Sequence, residues 1–135
     1  MLLIEDSWDL NGLYADGILG MAPTSQRGKA DLVVEKLWEQ GAIPESVFSF
    51  QIGDLDEKSV VTIGGYDVEK FARENETLQW HNLTNKFWWT LKLEGAKLDG
   101  KALPIRTSQV IIDTGTSFTL VPKSDYRIIM SYFYS

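Results

Sequence analysis

The sequence predicts a mainly β chain, and three observations indicate this fold class. Two segments, SVFSFQI at residues 46–52 and FWWTLKLEG at residues 87–95, alternate apolar and polar side chains with the period of half-buried strands. Turn signals that contain glycine accompany both segments. Only two segments, at residues 31–41 and 123–135, have the spacing or capping that is typical of helices.

In the first half of the chain we expect a short buried strand, one helix and a hairpin. LYADGILGMA, at residues 13–22, is apolar around an Asp-Gly turn signal and fits the buried strand. The helix at residues 31–41 has apolar residues four positions apart, with Asp31 as its cap and Gly41 as its terminator. Residues 46–52 then pair with SVVTIGG, residues 59–65, across the polar turn GDLDEK.

The second half of the chain follows FARENETLQW, residues 71–80, which is highly charged, lacks periodicity and is expected to be a linker or an exposed crossing. In residues 87–95, the alternation places the apolar side chains on one face. Glu94-Gly95 and Asp99-Gly100 predict turns between short strands. The last predicted element is a helix over residues 123–135, capped by Ser124.

Composition excludes several classes of function. The 135 residues, 44% of them hydrophobic, are enough for a domain with a core. The net charge of −6 argues against nucleic acid and anionic membrane surfaces as partners. No apolar run approaches the length of a membrane span, and the N-terminal segment lacks the core of a signal peptide. The absence of cysteine excludes disulfides and thiolate metal sites, and a single histidine, His81, excludes multi-histidine metal sites.

The segment VIIDTGTSFTLVP, residues 110–122, places one carboxylate in a setting suited to chemistry. Its apolar run predicts a strand buried on both faces, and Asp113 follows where that strand ends. Gly115 lets the backbone turn close to the carboxylate. The hydroxyl of Thr116 and a backbone N–H of the turn can hydrogen-bond the carboxylate, which favours its ionised form. Asp-x-Gly is also common turn chemistry, so the tripeptide alone leaves a functional and a plain structural interpretation equally open.

Several segments together resemble a known family. VIIDTGTSFTLVP resembles the second active-site segment of the pepsin-like aspartic endopeptidases, the eukaryotic pepsin and cathepsin D family. ADGILGMAP looks like the hydrophobic-hydrophobic-Gly segment of that family's first lobe. The segments LWEQGAIPESVFSFQIGD, SVVTIGGYDVEKF and FWWTLKLEGAKLDGKAL resemble the elements between them, in the same order. The resemblance covers essentially the whole chain and implies part of a bilobal pepsin-like acid protease fold, incomplete in both lobes.

The resemblance implies an aspartic-type endopeptidase. In that family two aspartates share a proton and activate the water that attacks the peptide carbonyl, without a metal or another cofactor. Asp113 matches the catalytic aspartate of the C-terminal lobe. The residues implied as support of the two active-site loops are Thr114, Gly115, Thr116, Ile18, Leu19 and Gly20.

The resemblance also divides the chain into residues 1–72, the end of the N-terminal lobe, and residues 73–135, the first part of the C-terminal lobe. It implies a second Asp-Thr-Gly segment elsewhere, because this sequence has only one. We therefore expect that missing lobe portions or a partner chain complete the site, and that the isolated chain is inactive. The expected substrate is a polypeptide. The expected location of the parent protein is the secretory pathway, the lysosome or vacuole, or the extracellular space.

The sequence leaves two alternatives to this enzyme. A non-catalytic pepsin-like protein would keep the cleft only to bind peptides or a partner, but the intact Asp113-Thr-Gly-Thr favours the enzyme because a decayed site need not retain it. A homodimer with one aspartate from each chain is disfavoured, because Asp113 comes too late in the chain to have a whole lobe around it.

Three further features have ordinary explanations beside the functional ones. Asn75-Glu76-Thr77 and Asn82-Leu83-Thr84 match the N-glycosylation acceptor pattern, and they are equally well explained as polar loop residues. His81 lacks an accompanying Gly-x-Ser-x-Gly motif, so a surface histidine is favoured over a base. The pair Trp88-Trp89 fits a carbohydrate platform, but the alternation buries at least one of the two and favours core packing.

Overall fold

The computed structural model describes residues 16–24, 31–54 and 56–134. This part of the chain contains six short strands and three helices, which confirms the predicted mainly β class. In chain order these are α1 (Val33–Glu39), β1 (Phe48–Gln51), β2 (Val60–Ile63), α2 (Val68–Phe71), β3 (Thr90–Lys92), β4 (Ala96–Leu98), β5 (Lys101–Leu103), β6 (Gln109–Ile111) and α3 (Lys123–Phe133). The chain divides into two compact units, and the boundary lies between Leu78 and Gln79.

Helix α1 lies inside the segment where the apolar spacing predicts it. Its N-cap is Leu32, without a side-chain hydrogen bond, so the prediction that Asp31 caps the helix is wrong. Asp31 lies one position too early and instead pairs with Lys36, at 3.6 Å between Oδ1 and Nζ. Gly41 has a φ of +69°, and the N–H groups of Gly41 and Ala42 both donate to carbonyls of the last turn at 2.9 Å. This is a Schellman end, so the predicted glycine terminator is confirmed.

The predicted hairpin is formed by β1 and β2. The two strands are antiparallel, with Phe48 opposite Ile63 and Phe50 opposite Val61. The rings of Phe48 and Phe50 meet edge to face, with their centroids 5.8 Å apart. Alternation predicts that one face of the hairpin is buried, but Phe50, Val61 and Ile63 are exposed. Because this sheet has only two strands in the described part of the chain, its apolar face lacks the second layer that burial requires.

Gly64 ends β2 in a conformation that only glycine adopts easily. Its φ is +87°, and its N–H donates to the carbonyl of Val47 at 2.8 Å. A Cβ at this position would lie 2.7 Å from Cβ of Ile43 and 3.2 Å from Cδ of Pro44. The hairpin therefore closes on the residues after α1 only because position 64 has no side chain.

Two further features of the first unit differ from the sequence prediction. The buried strand expected at residues 13–22 is not present in residues 16–22, where Ile18 and Leu19 are exposed, and residues 13–15 lie outside the described part. The short helix α2 was not expected. Asp67 caps it by accepting a hydrogen bond from the N–H of Lys70 at 3.0 Å, which is ordinary N-cap chemistry. Residues 72–80, most of the predicted linker, contain neither helix nor strand.

In the second unit, β3 and β6 form an antiparallel pair in which Leu91 lies opposite Val110. The N–H of Leu93 extends this ladder by donating to the carbonyl of Ser108 at 2.9 Å. Leu93 therefore continues the pairing by one residue, and residues 94–95 contain no turn, so the turn predicted at Glu94-Gly95 is not formed.

Strand β3 begins only at Thr90, because residues 86–89 form a turn. The prediction of one continuous apolar face from Phe87 to Leu93 is therefore wrong. Both Trp88 and Trp89 are exposed, so the expectation that the alternation buries at least one of them is also wrong.

Strands β4 and β5 form the tight hairpin that Asp99-Gly100 predicts. Leu98 lies opposite Lys101, so the loop has two residues. Asp99 and Gly100 have φ values of +49° and +77°. Positive φ at both central residues is the requirement of a type I′ turn, which Asp-Gly meets, and this prediction is confirmed.

Helix α3 begins after Pro122, which is its N-cap, and no side chain caps it. Ser124 lies within the first turn, so the prediction that it caps the helix is wrong. Its hydroxyl faces Asp125 instead, with 3.4 Å between Oγ and Oδ1.

The described residues enclose very little apolar core. Val34 is the only apolar side chain among them that is buried, and the other buried side chains are those of the polar Thr90 and Asp125. The sequence-based expectation of a domain with its own core is therefore not met in this part of the chain. No helix among the described residues is long and apolar enough to cross a membrane.

Candidate functional site

The loop that contains Asp113 is an extension of the β3–β6 pair. After β6 ends, the N–H of Ile112 still donates to the carbonyl of Trp89 at 2.9 Å. Asp113 follows directly, and Thr114 and Gly115 form a turn. The carboxylate therefore lies at the end of a paired strand, at the point where the chain leaves the sheet.

Two hydrogen bonds hold the Asp113 carboxylate. The N–H of Gly115 donates to Oδ1 at 2.9 Å, and the hydroxyl of Thr116 donates to Oδ2 at 2.5 Å. Both are the contacts expected from the sequence. They favour the charged form and lower the pKa of Asp113, with the Thr116 hydroxyl as the larger cause.

Gly115 brings the backbone close to the carboxylate. A Cβ at position 115 would lie 3.3 Å from Oδ1 of Asp113. A side chain there would therefore crowd the carboxylate, which would have to shift by a few tenths of an ångström. This agrees with the expectation that the glycine lets the backbone approach the acid closely.

The surroundings of Asp113 are more open than the sequence predicts. The apolar run 110–112 predicts a strand buried on both faces, but Ile111 and Ile112 are 51% and 52% exposed. Asp113 is exposed as well. The cause is that β6 pairs with β3 alone in a two-stranded sheet, so neither a third strand nor a second layer covers it in the described part of the chain.

The geometry restricts what this group can do alone. A carboxylate with a lowered pKa is ionised over most of the pH range, so Asp113 can accept a proton from a water molecule as a weak base. It cannot at the same time act as a protonated acid, so a reaction that uses both a base and an acid would need a second group beside it. Among the described residues, no group of three or more His, Cys, Asp or Glu side chains could hold a metal ion.

The other predicted support residues lie in different places. Thr114 is exposed on the turn beside Asp113, within the second unit. Ile18, Leu19 and Gly20 belong to the first unit, where the two apolar side chains are exposed and nothing lies within 4 Å of a Cβ built on Gly20. The roles assigned to all four remain predictions.

Both predicted glycosylation sites are exposed. Asn75 has a φ of +66° in a turn closed by the N–H of Glu76, which donates to the carbonyl of Arg73 at 3.0 Å. Asn82 is exposed in a stretch without helix or strand, and His81 beside it is exposed too.

Sequence reasoning missed one residue of this region, Asp125. It is only 2% exposed, and its carboxylate accepts hydrogen bonds from the backbone N–H groups of Arg106 and Thr107 at 3.0 and 2.9 Å. The Thr107 hydroxyl donates to it as well. An acidic residue in the first turn of a helix is a recognisable signal for favourable interaction with the helix dipole. Nothing in the pattern, however, indicates that the group is buried or which segment it binds.

Comparison with known proteins identifies the family. The sequence matches the family model described as eukaryotic aspartyl protease over residues 6–134. The chain belongs to this eukaryotic aspartyl protease family. The resemblance to pepsin-like peptidases that the sequence indicated is thereby confirmed, and the matched range includes Asp113 and its turn.

Individual relatives of this aspartyl protease chain include pepsin-3 of Oryctolagus cuniculus, which is 34% identical over 120 residues, 87% of this chain and 30% of that protein. Vacuolar protease A of Arthroderma otae is 33% identical over 120 residues, 86% of this chain and 30% of that protein. A probable aspartic-type endopeptidase of Arthroderma benhamiae is 31% identical over 119 residues, 86% of this chain and 23% of that protein. The chain therefore spans less than a third of the length of these relatives.

Proposed function

We propose that this chain contributes Asp113 as one of the two carboxylates of an aspartic-type endopeptidase that cleaves polypeptides. The observation that supports this most is the Asp113 carboxylate itself, held by the Gly115 N–H and the Thr116 hydroxyl within a chain of the aspartyl protease family. A carboxylate fixed at both oxygens can face a reacting water in one geometry, which removes part of the entropic cost of the reaction.

In the proposed reaction a water molecule lies between two carboxyl groups. Asp113 is kept ionised by its two hydrogen bonds, so it accepts the proton of that water. The second carboxyl is protonated and donates to the carbonyl oxygen of the substrate, because two like charges at one site cannot both ionise readily. The second group comes from residues outside this sequence, which has a single Asp-Thr-Gly. The isolated chain is therefore inactive and needs the remaining lobe portions or a partner chain.

The remaining predicted residues have supporting roles in this proposal. Thr114 links the two active-site loops through its hydrogen bonds, and Ile18, Leu19 and Gly20 support the loop of the other lobe. Residues 1–72 and 73–135 belong to the N-terminal and C-terminal lobes. The names of the relatives include pepsins and a vacuolar protease, which supports a secreted, lysosomal or vacuolar location for the parent protein.

The test is cleavage of a denatured protein substrate at pH about 3–5, the range in which a carboxylate pair that shares one proton titrates. The protein made from its natural gene is compared with its Asp113→Asn variant. Asp99→Asn is the matched control, because Asp99 is exposed in the β4–β5 turn and asparagine tolerates its positive φ. We expect Asp113→Asn to abolish cleavage and Asp99→Asn to retain it.

Each other outcome identifies a different error. Full activity of the Asp113→Asn protein would show that this residue is not catalytic. Binding of peptides without cleavage would identify the non-catalytic alternative. Cleavage by the isolated 135-residue chain that is abolished by Asp113→Asn would show that two copies assemble the carboxylate pair.

A further inference from the structure

The buried carboxylate of Asp125 joins two separate segments of the second unit. It lies in the first turn of α3, and its partners Arg106 and Thr107 lie in the irregular stretch before β6. Both of its oxygens are engaged by backbone N–H groups, and the Thr107 hydroxyl adds a further donor to Oδ2. A buried charge without partners would be costly, but here at least three donors from one short stretch satisfy it.

This contact closes a loop that contains the proposed catalytic aspartate. Arg106 and Asp125 are 19 positions apart, and the residues between them include β6, Asp113 and Thr116. The segment before the loop, at Arg106 and Thr107, and the segment after it, the first turn of α3, are therefore held together by the Asp125 carboxylate. Loop closure of this kind removes conformational freedom from everything between the two ends.

The loop has few other restraints. Its first strand, β6, pairs with β3 alone, and the side chains of Ile112, Phe118 and Leu120 are exposed. Little apolar burial therefore fixes the position of the turn at Asp113 in the described residues. Among the described residues, the polar contact at Asp125 and the β3–β6 ladder both restrain the loop that contains this turn.

We propose that Asp125 is a positioning residue for Asp113: by holding Arg106 and Thr107 against α3, it fixes the loop in which Gly115 and Thr116 orient the Asp113 carboxylate. This inference rests on the proposed function in the sense that it concerns the same carboxylate. The lowered pKa of Asp125, caused first by the Thr107 hydroxyl, supports it, because the group then stays ionised in acid. Asp125 itself takes no part in the chemistry.

The experiment uses the full chain labelled with ¹³C in its aspartates, and it follows the side-chain carboxyl of Asp113 by NMR through a pH titration. Asp125→Asn should raise the pKa of Asp113 toward the ordinary aspartate value, because a loosened turn holds the ionised form less well. A purely electrostatic effect has the opposite sign, since removing a negative charge lowers the pKa of a neighbouring acid. Thr107→Val keeps the Asp125 charge and should raise the pKa of Asp113 in the same direction, whereas Thr107→Ser keeps the hydroxyl and should restore it.

Hydrogen exchange detected by mass spectrometry, at low protein concentration, gives a second measurement for variants that fold poorly. We expect exchange in residues 113–117 to become about 10- to 100-fold faster in Asp125→Asn, the factor for loss of one hydrogen bond to a charged group. Exchange in the hairpin, residues 48–63, should not change. Neither measurement requires proteolysis, so the result is separate from success or failure of the proposed enzyme.

Four results would overturn the inference. The first is an Asp113 pKa that is unchanged or lowered in Asp125→Asn. The second is exchange that accelerates only at residues 105–108. The third is faster exchange throughout the chain, which would make Asp125 a residue of general stability. The fourth is a Gly115 N–H that is unprotected in the unaltered chain.

Discussion

The hydroxyl of Thr116 donates a 2.5 Å hydrogen bond to Oδ2 of Asp113, and this contact is the larger of the two causes that lower the pKa of the carboxyl. The turn thus fixes the orientation of the Asp113 carboxylate and favours its ionised form. A group held in this way is suited to accept a proton, and in the proposed reaction the complementary acid is a second carboxyl with a different environment.

Thr116→Val should therefore raise the pKa of Asp113 toward the ordinary value, because it removes the hydroxyl but keeps the side-chain shape. Thr116→Ser keeps the donor and should leave the pKa nearly unchanged. The measurement is the pH titration of the Asp113 carboxyl by ¹³C NMR. Equal pKa values in the valine and serine variants would contradict the importance of this hydrogen bond.

The ionisation of Asp125 should be visible at its backbone partners. Its pKa is lower in the folded chain than in the unfolded one, so its stabilising effect is fully present above the ordinary aspartate pKa and is lost as pH falls through the lower folded value. The ¹⁵N–¹H resonances of Arg106 and Thr107 should therefore stay constant as pH falls through the ordinary aspartate pKa and should shift only below it. In Asp125→Asn this acid transition should be absent. A transition at the ordinary aspartate pKa would contradict the assignment.

Gly64→Ala should destabilise the first unit by about 1–3 kcal/mol. The Cβ of alanine would clash with Ile43, and the positive φ at this position is unfavourable for alanine. Gly65→Ala is the matched control, since nothing lies within 4 Å of a Cβ built there and its φ is not positive. The free energy of unfolding from urea titrations of both variants gives the comparison. Equal losses in the two variants would show that the close approach at position 64 is not structurally important.

The exposed apolar face of the β1–β2 hairpin should make the isolated chain self-associate. Phe50 and Val61 lie opposite each other, and both are exposed. A two-stranded sheet with an uncovered apolar face tends to associate with other chains through its strand edges and through that face. Phe50→Lys should shift the chain toward monomer in sedimentation velocity. Glu69→Gln, at an exposed position of α2, changes the net charge by the same amount and should leave the association state unchanged. A monomeric unaltered chain with a sharply cooperative thermal transition would contradict this expectation.

Short-range sequence signals predicted the local backbone conformation well, but they predicted the burial of side chains poorly. Gly41 and Asp99-Gly100 behave as expected because their conformations depend on their own backbones. The hydrogen bonds to Asp113 were predictable for the same reason, since donor and acceptor lie within three residues. The predicted burial of Ile112 and of at least one of Trp88 and Trp89 was wrong, because alternation indicates which face is apolar and not whether a second layer covers it. Asp125 could not be found, because its partners lie 18 and 19 positions away.

Both Asn-x-Thr sites should carry N-linked glycans when the parent protein is made in a eukaryotic secretory pathway. An acceptor asparagine must be accessible, and Asn75 and Asn82 are both exposed in segments without helix or strand. Treatment with an amidase that removes N-glycans should lower the mass by two glycans, and Asn75→Asp and Asn82→Asp should each remove one. Aspartate suits this test at position 75, because it tolerates the φ of +66° nearly as well as asparagine, so loss of the glycan is not confused with strain. A mass that the amidase leaves unchanged would show that these are ordinary polar loop residues, and it would also weaken the proposed secretory location.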